Sequence, residues 1–119
     1  MNTRSAKNKG KRLCQDVKQK LLEFAPELKD DDVYIPVGSV PGEDIILSPL
    51  ARTIFNFCIE CKNQEALNIW AALKQAESHA KGTEKLPVVF FSRNRSKTYV
   101  ALELDHFLKL TKKDSLVFT

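Results

Sequence analysis

The sequence predicts an α/β fold in which a mixed central sheet is flanked by helices. Apolar residues recur at helical spacing over 10–28 and again over 64–80. Short runs rich in β-branched and aromatic residues fill the intervals. The resulting order, α-β-β-β-α-β-β-α, is that of a mixed sheet with helices against it.

The first helical stripe is Leu13, Cys14, Val17, Leu21, Leu22, Ala25 and Leu28. Pro26 lacks an amide hydrogen and is expected to end this helix near Phe24. The acidic run at 30–32 reads as a turn. VYIPV (33–37) reads as a strand that Pro36 confines to an edge or ends. Residues 38–42, Gly-Ser-Val-Pro-Gly, form a loop by composition. EDIIL (43–47) is a short buried strand, SPLAR (48–52) turns the chain, and TIFNFCIECK (53–62) returns as the second arm of a hairpin.

On that second arm Phe55, Phe57, Ile59 and Cys61 share one face, and Ile54, Asn56, Cys58, Glu60 and Lys62 the other. The second helix carries Ala66, Ile69, Trp70, Leu73, Ala76 and Ala80 on its apolar stripe, with Gly82 as a C-terminal cap. Trp70 is therefore expected in the core, and His79 and His106 as surface or cap residues. KLPVVFF (85–91) is strongly β-forming, RNRSK (93–97) a basic turn, and TYVALEL (98–104) a further strand. Asp105 is placed to cap a final short helix.

At 119 residues, 43% hydrophobic and 29% charged, the chain has the size and balance of one globular domain. It divides into a basic N-terminal arm, 1–9, and a single domain, 10–119. No apolar run approaches the roughly 20 residues of a membrane helix. The N-terminus lacks the apolar core of a secretory signal, so a cytoplasmic protein is expected. Three cysteines do not make a disulfide framework. Cys58 and Cys61, three apart on a strand, point to opposite faces, and no second Cys/His pair stands near to complete a zinc site.

The net charge of +4 is unevenly spread. Arg4, Lys7, Lys9, Lys11 and Arg12 precede the first acid, Asp16, and Arg93, Arg95 and Lys97 crowd one turn. Such clusters suit a polyanion, although solvated tails and turns carry them too.

The chemistry is concentrated in Glu60, Lys62 and Asp44. Alternation puts Glu60 and Lys62 on one face, about 6–7 Å apart. Asp44 opens the hairpin's first arm, 16 residues before Glu60, and antiparallel pairing brings it beside them in a suitable register. The plain reading is a turn carboxylate paired with a surface lysine. The chemical reading is a hard-oxygen site for Mg²⁺ or Mn²⁺, held by Asp44, Glu60 and the main-chain carbonyl of Cys61. Such an ion lowers the pKa of a water and polarises a phosphodiester, while Lys62 positions the water and balances charge.

"GEDIIL…IECKNQ" resembles the core of the PD-(D/E)xK nucleases, with Glu43-Asp44 in place of Pro-Asp and Glu60-Cys61-Lys62 as the E-x-K. Gly38-Ser39 and the "NKGKR" opening helix one resemble archaeal-type Holliday junction resolvases. "SPLAR", "ECKNQE…NIWAALKQAE" and "NRSKTYV" extend the likeness to small phage and mobile-element PDDEXK endonucleases, over about residues 8–110.

The resemblance implies a restriction-endonuclease-like αβββαβ core and metal-dependent cleavage of double-stranded or branched DNA. It gives Asp44, Glu60 and Lys62 catalytic roles and sets Ser39 at the scissile region. It makes Lys9, Lys11, Arg12, Arg93, Arg95 and Lys97 the phosphate contacts. It also implies a two-fold dimer and, for a virus-encoded chain, the host cytoplasm. Gln75 is a polar residue of the kind that supports such sites. One position departs from the pattern: where resolvases carry a Glu on helix one, this chain has Cys14, followed by Gln15. That departure keeps open a non-catalytic DNA-binding module on the nuclease fold. A small-molecule enzyme finds no Gly-rich phosphate loop or nucleophile dyad to support it.

Overall fold

The computed structural model describes residues 3–38 and 40–117. Helix α1 (Thr3–Phe24) begins well before the apolar stripe, so the basic residues from Arg4 onward form its first turns. It stops at Phe24, two residues before Pro26, as the missing amide requires. Leu13, Cys14, Val17 and Leu21 are buried along its inner face, and Ala25 and Leu28 continue the same core just beyond its end.

A 3-10 turn at Asp30–Asp32 leads into β1 (Val33–Tyr34), which pairs antiparallel with β2 (Ile46–Leu47). SPLAR, expected as a turn, is helix α2 (Pro49–Arg52). Its start is written in the sequence: the Ser48 hydroxyl accepts from the Ala51 amide at 3.1 Å, and Pro49 takes the first helical position. Asp32 locks this corner, accepting from Ser48 Oγ and from the Lys29 amide, each at 2.7 Å. Those two bonds hold its carboxyl below the usual range. The return strand is accordingly shorter than 53–62: β3 spans Phe57–Asn63.

Helix α3 (Ile69–Ala80) starts at an Asn68 cap, whose side chain accepts from the Ala71 amide. Strand β4 (Leu86–Ser92) lies parallel to β3, and β5 (Tyr99–Ala101) antiparallel to β4. Helix α4 (Leu104–Val117) follows. A single antiparallel bridge, Ile45 to Ile59, joins the two-stranded sheet to β3-β4-β5. The sheet is mixed and flanked by helices, as its element order predicts. Among the described residues no helix is long and apolar enough to cross a membrane.

The sheet has two differently covered faces. Ile59, Cys61 and Val88 belong to the large core with α1, whereas Val89 packs with Ala72 and Ala76 of α3. Ile45, Ile59, Val88 and Val33 are fully buried, each contributing about 1.5–3 kcal/mol of transfer free energy. Trp70, expected in the core, is 79% exposed. The helix presents Ala72, Ala76 and Ala80 to the sheet, and at 100° per residue Trp70 is turned away from that line.

Candidate active site

Asp44 is attached to β3 twice. The loop before it turns through Gly38 and Gly42, both in the left-handed region that glycine tolerates. The chain then runs along the edge of β3 opposite to β4. There the Asp44 amide donates to the Ile59 carbonyl at 2.9 Å, and Asp44 Oδ2 accepts from the Cys61 amide at 2.7 Å. The antiparallel approach expected of the hairpin is realised, in a register that sets Asp44 against the middle of the E-x-K.

The parallel register aligns Glu60 with Val89 and Lys62 with Phe91, so both ionic side chains stand on the face that α3 covers. Glu60 is only 1% exposed, and its Oε1 is hydrogen-bonded to His79 Nδ1 of α3 at 2.5 Å. Burial, then the neighbouring charge of Asp44, push the Glu60 carboxyl up to about 7, against the opposing pull of His79 and Lys62. Asp44 is thus close enough to Glu60 for their charges to be felt.

The two thiols of the C-x-x-C diverge, as alternation dictates. Cys58 lies on the side of Glu43, and burial with that carboxylate pushes it up to about 12. Cys61 faces α1 beside Cys14; the neighbouring thiol and burial push Cys61 up, while the same neighbour moves Cys14 down. Cys14 therefore sets a buried thiol of helix one beside that of Cys61. Glu43, beside Asp44 in sequence, is committed elsewhere: its Oε1 meets Lys85 Nζ at 2.5 Å.

Among the described residues no group of three or more His, Cys, Asp or Glu side chains is gathered to hold a metal ion. Beyond Glu43, which is paired with Lys85, the oxygen donors beside β3 include the carboxylates of Asp44 and Glu60 and main-chain carbonyls. That set fits a hard divalent cation that keeps several waters, and a cation relieves the charge interaction between Asp44 and Glu60. A cavity of about 410 Å³ opens at Asp44 and Cys61, and Arg4, Lys7 and Lys11 of α1 line it.

A family model described as "Phage putative PDDEXK endonuclease" matches residues 5–119. The chain belongs to this family. No curated protein and no solved structure matches it. The mixed sheet flanked by helices is compatible with the restriction-endonuclease-like fold of PDDEXK proteins.

Asp44, Glu60, Cys61 and Lys62, singled out by their pattern in the sequence, come together at the edge and rim of β3. Ser39 lies outside the described residues. Lys9, Lys11 and Arg12 line a shallow surface hollow of about 770 Å³ together with Asn94, so helix one and the basic turn meet in one region. Two bonds organise that region: Asn63 Nδ2 donates to the Lys9 carbonyl at 3.3 Å, and the Asn94 amide donates to Glu65 Oε2 at 3.2 Å. Arg93, Arg95 and Lys97 are exposed on the turn itself, where Arg95 adopts φ 59°. His79, expected at the surface, is the residue that the sequence reading missed. It borders the Ala76–Ala80 line, a position that becomes informative only once α3 is known to cover Glu60.

Proposed function

We propose that this PDDEXK-family protein is a metal-dependent DNA endonuclease that hydrolyses phosphodiester bonds with Mg²⁺ or Mn²⁺. One observation carries the reading: the hydrogen bond from the Cys61 amide to Asp44 keeps that carboxylate alongside Glu60. Asp44, Glu60 and the Cys61 carbonyl would hold the ion, which would supply Lewis acidity at the phosphodiester and an acidified water. Lys62 orients the attacking water and offsets charge developing on the phosphate. Cys14 offers no carboxylate for a second ion, so a single-ion site is the simpler arrangement. Ser39 contacts the scissile region.

Lys9, Lys11, Arg12, Arg93, Arg95 and Lys97 hold phosphates and so position DNA without reading its sequence. The substrate is double-stranded or branched DNA. A resolvase-like preference for four-way junctions, with paired nicks made by a homodimer, follows from the likeness of Gly38-Ser39 and the helix-one opening to resolvases. Residues 1–9 act as a basic arm to a single nuclease domain over 10–119, working in the cytoplasm of a phage's host. A thiol rather than a carboxylate at Cys14 of helix one, beside Cys61, favours a second reading, a DNA-binding module that no longer cuts.

Incubation with supercoiled, linear and four-way-junction DNA in Mg²⁺, Mn²⁺ or EDTA separates the two. Metal-dependent nicking that Lys62→Ala abolishes is the expected result. Binding to all three DNAs without cleavage in any metal establishes the module instead.

A further inference from the structure

We propose that His79 is a positioning residue that fixes the Glu60 carboxylate in the orientation in which it receives a divalent cation; this rests on the nuclease reading above. A glutamate has three side-chain torsions, and a metal ligand needs one setting of them. Glu60 is 1% exposed, and its Oε1 is hydrogen-bonded to the His79 side chain through Nδ1 at 2.5 Å. That bond engages Oε1 and so restricts the setting of the whole carboxylate.

The reach of His79 is built into α3. Ala72, Ala76 and Ala80 are its buried residues, and such small side chains let the helix lie close to the sheet. His79, between Ala76 and Ala80 in sequence, is three-quarters covered and directed at β3. The bond ties together residues 19 apart, on elements that share the Val89 core. Neither the E-x-K spacing nor the Asp44 contact accounts for it. Partners of this kind, which hold a ligating carboxylate from behind, contribute about 10–100-fold to metal affinity.

The test compares the full chain with His79→Ala, His79→Phe and His79→Asn. Asn keeps a polar atom at the position of Nδ1, whereas Phe keeps the ring's bulk without it. Mn²⁺ affinity is measured by calorimetry without DNA, and duplex affinity separately in EDTA. Loss of Mn²⁺ affinity by about 10–100-fold in Ala and Phe, near-wild-type affinity in Asn, and unchanged DNA affinity throughout are expected. Equal Mn²⁺ affinity in wild type and Phe overturns the positioning role while leaving the nuclease reading intact. The Phe–Asn comparison decides the matter if the Ala variant does not fold, and equal affinities there overturn the role as well. A wild-type chain that neither binds Mn²⁺ nor cuts DNA overturns both.

Discussion

The Cys61 amide donates to Asp44 Oδ2 at 2.7 Å, so the position of the first acidic residue is set by the strand that carries the second. The hydrogen bond from the Asp44 amide to Ile59 closes the same contact from the other side. Because this attachment uses an oxygen rather than a charge, structure and chemistry at Asp44 separate on substitution.

Asp44→Asn retains an oxygen that accepts from Cys61 and loses the negative charge. Its melting temperature is expected to stay near that of the wild type, while plasmid nicking falls on the order of 10²–10³-fold, as for other losses of a charge-stabilising group. Parallel thermal melts and nicking rates check this. A variant that cuts normally removes Asp44 from the chemistry.

Glu60 gives a pH dependence with a definite sign. Its folded-state value, about 7, lies above the ordinary value of 4.5, so folding favours the protonated form. The stabilising effect of protonation is complete below about pH 4.5 and is lost as pH rises through 7. In metal-free buffer Glu60→Gln should therefore gain stability relative to wild type between pH 5 and pH 8, by about 1–3 kcal/mol. Urea denaturation in EDTA at the two pH values measures the change. A difference that does not vary with pH means that Glu60 is not held as described.

Arg93→Ala combined with Arg95→Ala should weaken duplex binding and flatten its salt dependence. If each arginine neutralises one phosphate, the slope of log K against log salt falls in magnitude by about 1.8. Fluorescence anisotropy across a salt series reads it. An unchanged slope takes this exposed turn out of the interface.

Much of this arrangement is legible in local pattern. The α1 stripe, its stop before Pro26, and the alternation that puts Glu60 and Lys62 on one face all depend on neighbours in sequence. Ser48-Pro49 also carries its own signal, a cap followed by a first-position proline, although its loop-like composition masks the short helix α2. The remainder depends on contacts between distant residues. Trp70 matches the apolar spacing of α3 as well as Leu73 does, and only the close seating of Ala72, Ala76 and Ala80 decides which side turns inward. His79 has no local mark as a partner for Glu60. The pairing exists because the register of β3 with β4 and the seating of α3 are set together.

The most direct test of the shared cation is anomalous diffraction from crystals grown with Mn²⁺. One peak per chain, with oxygens of both Asp44 and Glu60 within about 2.0–2.3 Å of it, is the predicted result. A peak ligated by only one of the two, or none beside β3 at saturating Mn²⁺, contradicts the account.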